Sequence, residues 1–308
     1  MAKRAGINRR DFFKRSAAAS AGLAAAGSVP SIAGSGPSSS SDPQSKKVLI
    51  MTDMEGVGGV FDWAEQCNPL KSRRWAESRQ LLTGEVNAAV DGLFAGGATE
   101  VVVWDGHDGG ETLSADDVDR RARLLIGSPV PPICEFDPSF SAIVFVGQHA
   151  MAGVHDGVLN HSYFFTIQNL WVNGKLAGEI GVRMMIAGAL GVPAIMLAGD
   201  VAACREFREL VPQAECAPVK AGVSATAGYT LAHPAACGLI RAKARRAMER
   251  LAEFKPYKIE TPVEVKVEFA TSGAPGPRLG GNPERINDRT FVFRGNDIID
   301  AWFKYGRL

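Results

Sequence analysis

From residue 47 onward, short apolar runs alternate with longer stretches of helical spacing. The run 47–52 (KVLIMT) is apolar at successive positions and stops at Asp53, the profile of a strand covered on both faces. Runs over 100–104, 142–146 and 194–198 repeat that profile. The spacing predicts helices over 75–96, stopped by Gly96-Gly97, and over 179–190, closed by Gly191 and Pro193. Segment 163–172 is rich in aromatic and β-branched residues and reads as extended, with a turn at Asn173-Gly174. A long basic amphipathic helix over 234–254, strands over 263–269 and 290–293, and a helix over 297–305 complete the pattern. Strands alternating with helices predict an α/β fold with a mostly parallel central sheet between helical layers. There is no internal repeat.

Polar residues gather where the apolar runs stop. Asp53 and Glu55 follow the first run, Asp105 and His107 the second, Gly147-Gln148-His149 the third, and Gly199-Asp200 the fourth. In an open parallel sheet the carboxyl ends of the strands line one crevice, where ligands bind. Asp53 and Glu55, two apart in an extended segment, point the same way while Met54 points oppositely. Two carboxylates that close repel unless a cation lies between them. Asp105 is placed to orient the His107 ring, as outer partners of metal-binding histidines do. His149 sits nearest its strand end and is the better candidate ligand. His161 opens the next extended segment and faces the same crevice, while His155 and His233 read as surface residues. Glu179 opens a helix after Gly178, where the helix dipole alone would favour a carboxylate. Oxygen and nitrogen donors of this kind suit zinc, and manganese or iron fits the same set.

Composition changes the picture mainly at the N-terminus. With 308 residues, 46% apolar, and 34 basic against 33 acidic side chains, the chain is neither disordered, collagen-like nor a multi-span membrane protein. The first fifteen residues hold six basic side chains and one acid, so the rest is mildly acidic and offers no footprint for nucleic acid. Arg9-Arg10, an aromatic pair, Lys14 and a weakly apolar run over 16–27 resemble a bacterial twin-arginine export signal. That run is shorter than the roughly 20 residues a stable membrane anchor needs. Residues 1–33 therefore read as a signal peptide, 34–46 as a flexible linker and 47–308 as the folded domain, with a periplasmic or secreted destination. The five cysteines form no C-x-x-C pair and read as isolated buried thiols, with no disulfide or thiolate metal site.

Taken in order, Asp53-Met54-Glu55-Gly56-Val57-Gly58-Gly59, Asp105-Gly106-His107, Gly147-Gln148-His149-Ala150, Asn160-His161-Ser162 and Gly178-Glu179-Ile180-Gly181 resemble peptidase family M55, the zinc-dependent D-aminopeptidases. Ala198-Gly199-Asp200 and Val219-Lys220 extend the match. The resemblance implies a three-layer α/β/α fold and a ring-like homodecamer. It implies two zinc ions held by Asp53, Glu55, His107, His149 and Glu179, with Asp53 bridging, and a catalytic role for His161. Trp104, Gly106 and Gln148 depart from the family pattern around these ligands.

Two close cations lower the pKa of a shared water towards about 7 and polarise a carbonyl. A spare histidine such as His161 would pass a proton to the leaving amine. Lys220 is a candidate for binding a substrate carboxylate or oxyanion. The expected activity is hydrolysis of short peptides with N-terminal D-residues, D-Ala-D-Ala among them. A di-metal phosphoesterase and a non-catalytic peptide-binding module of the envelope are the alternatives. No G-x-S-x-G elbow, P-loop or G-x-G-x-x-G after a strand is present.

Overall fold

Strand β1 (Lys47–Thr52) is buried at five consecutive positions, so both of its faces are covered. It is the centre of a computed structural model that describes residues 45–127, 137–272 and 283–305. In chain order there follow α1 (Trp63–Gln66), α2 (Trp75–Ala95), β2 (Glu100–Trp104), β3 (Arg123–Leu125) and β4 (Ala142–Gln148). Next come β5 (Ile167–Val172), β6 (Lys175–Leu176), α3 (Glu179–Ala189), β7 (Ala194–Asp200) and α4 (Val201–Leu210). The last elements are β8 (Glu215–Ser224), β9 (Ala227–Thr230), α5 (His233–Glu249), β10 (Val263–Phe269), β11 (Glu284–Arg285), β12 (Thr290–Gly295) and α6 (Ile298–Tyr305).

The central sheet has the order β3-β2-β1-β4-β7-β8-β9, parallel throughout except for the edge strand β9. Like β1, strands β4 and β7 are buried along their whole length, as the continuous apolar runs require. The mostly parallel α/β sheet expected from the sequence is present. A second, antiparallel sheet, β11-β12-β10-β5-β6, carries the late strands and was not separated from the first by the sequence pattern.

The chain runs from β1 outward through β2 and β3, then returns to place β4 on the other side of β1. The two directions diverge between β1 and β4, and the crevice at their carboxyl ends is the natural ligand position of such a sheet. Here the backbones come very close: Asp53 donates its N–H to the Val146 carbonyl at 2.9 Å and Gly56 donates to Gly147 at 2.7 Å. A Cβ at Gly147, whose φ is +77°, would lie 2.0 Å from the Asp53 carbonyl oxygen. At Gly56 it would lie 2.0 Å from that of Gln148. Glycine at both positions lets the two strand ends meet.

Helix 234–254 ends earlier than its pattern predicts, at Glu249, with a short 3₁₀ turn over Leu251–Glu253. Segment 163–172 becomes strand only at Ile167, and the chain turns at Tyr163, whose φ is +62°. The twin-arginine segment, all but the last two linker residues, and Cys134 lie outside the described residues. Among the described residues, Cys67, Cys204, Cys216 and Cys237 are free thiols. No helix there is long and apolar enough to cross a membrane.

Candidate metal centre

Met54 is fully buried in the core while Asp53 and Glu55 turn together into the crevice, as their spacing requires. Oδ1 of Asp53 lies 3.1 Å from Nδ1 of His107, and Oε2 of Glu55 lies 3.2 Å from the same nitrogen. Oδ2 of Asp53 lies 3.3 Å from Nε2 of His149, which is also 3.3 Å from Oε1 of Glu179. His161 completes this second group, with Nε2 3.7 Å from Oε1 of Glu179. Two trios thus have ligand atoms within 4.8 Å of one another, Asp53–Glu55–His107 and His149–His161–Glu179. The Asp53 carboxylate touches both.

Each imidazole is oriented by a main-chain carbonyl. His107 places Nε2 2.7 Å from the Cys67 carbonyl, His149 places Nδ1 2.9 Å from that of Ala150, and His161 places Nδ1 2.9 Å from that of Leu159. Each of these contacts turns the other ring nitrogen towards the carboxylates. Asp105 does not orient His107 as the sequence suggested. Its Oδ2 accepts instead from the N–H groups of Thr112 and Leu113, at 2.6 and 2.7 Å, and fixes the loop after β2. The Asp53 carboxylate is steadied by Gln148, whose Nε2 donates to Oδ2 at 2.9 Å, and by the Met54 N–H, which donates to Oδ1 at 2.8 Å.

The electrostatics fit a cation. Burial opposes charge on His107 and His149, yet the carboxylates facing them hold both pKa values well above the usual imidazole range. Burial likewise opposes ionisation of Asp53 and Glu179, but their histidine partners keep both pKa values well below normal. Three buried carboxylates therefore draw positive charge into this spot. Oε2 of Glu55 and Nε2 of His149 are buried without hydrogen-bond partners, although each faces the opposite kind of group. Such orphaned donor atoms of the zinc-binding type are what a bound ion would satisfy.

A family profile described as D-aminopeptidase, peptidase family M55, matches residues 46–304. The chain belongs to this family. It is an enzyme of the peptidase class. Its relatives include a D-aminopeptidase of Bacillus subtilis strain 168, 29% identical over 260 residues that span 83% of this chain and 94% of the relative. The solved structure of "Zn-dependent D-aminopeptidase DppA from Bacillus subtilis, a self-compartmentalizing protease" superposes with a TM-score of 0.76. It is 29% identical and covers 84% of this chain and 94% of that one.

In this M55 chain Asp53, Glu55, His107, His161 and Glu179 open into a pocket of about 240 Å³. Trp63, Phe164 and Phe165 form one wall, and Trp104, Tyr163 and Arg183 another. The His161 ring stacks between His149, at 4.0 Å, and Phe165, at 4.6 Å. The aromatic wall and Arg183 went unnoticed in the sequence. Arg183 had one signal there, its place four residues after Glu179.

Other strand-end candidates have structural duties. Asp200 caps α4, accepting from the Ala203 and Val158 N–H groups at 2.6 and 2.7 Å. Lys220 lies outside the pocket lining, and its ammonium donates to the carbonyls of Glu55 and Val60. Burial lowers its pKa to about 8. It therefore ties the loop after β1 to β8 through the Glu55 and Val60 carbonyls. His155 is exposed as expected. His233 is half-buried, with Nε2 3.0 Å from the Leu81 carbonyl. Behind the second trio, Glu206 accepts from the Met151 N–H at 2.8 Å, and burial raises its pKa to about 7.

Proposed function

We propose that this chain is a zinc-dependent aminopeptidase that hydrolyses short peptides bearing an N-terminal D-residue, D-Ala-D-Ala among them. Asp53, Glu55 and His107 would hold one zinc ion, and His149 and Glu179 a second, with Asp53 contributing an oxygen to each. The observation that carries this reading is the Asp53 carboxylate, whose two oxygens face two different imidazoles. When bound, the ion pair supplies Lewis acidity and an activated water.

The chain's own groups supply the rest. The Leu159 carbonyl fixes His161 so that Nε2 faces the pocket, where it would take the proton given up by the attacking water and pass it to the departing amine nitrogen. The aromatic wall shields the reacting bond from bulk water and packs the small side chains of the substrate. Gln148 and the Met54 N–H keep Asp53 from rotating. Homo-oligomeric assembly and export through the twin-arginine segment belong to the same proposal. The self-compartmentalizing relative supports the first, and the arginine pair before a short apolar run supports the second.

The test is hydrolysis by the zinc-loaded protein. Cleavage of D-Ala-D-Ala in clear preference to L-Ala-L-Ala is expected. Indifference to stereochemistry, or turnover of p-nitrophenyl phosphate in place of peptides, would overturn the reading.

A further inference from the structure

Cys204 and Cys216 look isolated in the sequence and meet in the fold. Cys204 lies near the start of α4, and Cys216 near the start of β8, opposite Leu197 of β7. Cys216 donates its S–H to the Cys204 carbonyl at 3.7 Å, and the Cys204 thiol in turn hydrogen-bonds to Cys216. Both elements are anchored independently of this contact. Asp200 caps α4 through the Ala203 N–H at 2.6 Å. Phe207, on the same helix, packs edge-on to Phe145 of β4 with ring centres 5.8 Å apart. The fold therefore presents the two thiols to each other.

The pair is also polarised. Among the described cysteines, Cys216 is the one whose environment favours the thiolate, the nucleophilic form of a cysteine. The hydrogen bond with Cys204 lowers its pKa most, burial opposes this, and the charges of Arg208 and Lys243 help. The same hydrogen bond, with burial, holds the Cys204 thiol well above its ordinary range. Burial pushes Cys67 and Cys237 upward as well. One member of the pair is thus fitted to attack, and the other lies against it to resolve.

Cys204 lines a surface pocket of about 370 Å³, beside Arg205 and Arg208. Asp156 engages Arg205 at 2.7 and 3.0 Å, whereas the charge of Arg208 acts on both sulfurs. Both cysteines are otherwise buried, so a reagent must be small enough to enter beside Cys204. A peroxide, with two oxygen atoms, meets that limit, and a disulfide carried on a folded protein does not.

We propose that Cys204 and Cys216 are a peroxide-reactive dithiol that closes to a disulfide joining α4 to β8. The Cys216 sulfur attacks one oxygen of hydrogen peroxide. An S–O bond forms, the O–O bond breaks, and the departing hydroxide leaves as water with the proton shed by Cys216. The Cys204 sulfur then displaces the sulfenic oxygen. The S–S bond forms, the S–O bond breaks, and a second water leaves with the proton of Cys204. The two thiols give up two electrons and the peroxide takes them. Neither thiol lines the pocket of the metal centre, so this chemistry is separate from peptide hydrolysis.

The experiment treats the zinc-loaded full chain with hydrogen peroxide, quenches it, alkylates it in denaturant and maps the peptides by mass. The expected product is a Cys204–Cys216 linked peptide, about 2 Da lighter than the two thiol peptides together and separated by dithiothreitol. Cys204→Ser should stop at a sulfenic acid on Cys216, trapped by dimedone. Cys216→Ser should slow oxidation of Cys204 by at least about tenfold, since the attacking sulfur is gone. Both thiols still reduced when Cys237 is already oxidised would overturn the proposal. So would Cys204 oxidised equally fast in Cys216→Ser. If either serine variant does not fold, the wild-type peptide map decides alone, by the presence or absence of the linked peptide.

Discussion

Gln148 donates from Nε2 to Oδ2 of Asp53 at 2.9 Å, joining the end of β4 to the first residue after β1. It is a side-chain bond across the point where the sheet changes direction, beside the backbone bonds there, and it fixes the carboxylate that faces both histidines. Replacing Gln148 with Leu keeps the volume and removes the donor. Zinc affinity should fall by about 10- to 100-fold, the usual effect of losing an outer partner of a metal ligand. Chelator competition measures it, and an unchanged affinity would show that Asp53 needs no such support.

His161 is grouped by distance with His149 and Glu179, so its role as proton carrier has a direct competitor, a third ligand. His161→Gln separates the two. A proton carrier predicts kcat lowered by about 10² to 10⁴ with zinc content intact. Loss of one equivalent of zinc would make His161 a ligand instead.

Lys220 ties the Glu55 and Val60 carbonyls together from inside the core, with Glu85 and Asp200 acting on its charge. Lys220→Met leaves two buried carbonyls unsatisfied and removes a buried cation from beside those acids. Unfolding free energy should drop by about 3 kcal/mol in a denaturant titration. A loss well under 1 kcal/mol would mean that the ligand loop holds itself.

Glu206 should make stability depend on pH. Its folded pKa, raised by burial to about 7, exceeds its ordinary value of 4.5, so the folded chain keeps a proton that the unfolded chain has released. This contribution is fully present below about pH 4.5 and is lost as pH rises through about 7. Glu206→Gln retains an acceptor for the Met151 N–H and removes the titration. Thermal melts of the metal-free forms should show near-equal stability at pH 4.5 and a variant more stable by about 2–3 kcal/mol at pH 8. Parallel curves across that range would contradict the assignment.

Much of this architecture was legible in residue order. Strands β1 and β2 and the start of α3 fall where the apolar runs and Gly178 put them, because strands buried on both faces leave no polar alternative. Asp53, Glu55, His107 and His149 converge because a parallel sheet brings its strand ends to one rim, and the loop at His161 and the start of α3 at Glu179 meet them there. Other features needed three dimensions. No element was expected over 201–230, where α4 and β8 form: Pro218 and Lys220 break the apolar pattern of β8, and the Lys220 ammonium is received there by two carbonyls from the segment after β1. Asp105 and Asp200 looked like site residues because caps and loop anchors use the same carboxylates at the same strand ends. Arg183 was hidden for the opposite reason, as an arginine inside an apolar helix gives no sign of which ring it will rest on.

The central claim is that Asp53 joins two cation positions, and zinc content by elemental analysis of purified wild type and Asp53→Asn tests it most directly. Two zinc ions per wild-type chain, fewer than one in Asp53→Asn, and peptide hydrolysis abolished in the variant are the predicted results. A wild-type chain holding a single ion, or an Asp53→Asn variant that keeps both, would contradict it.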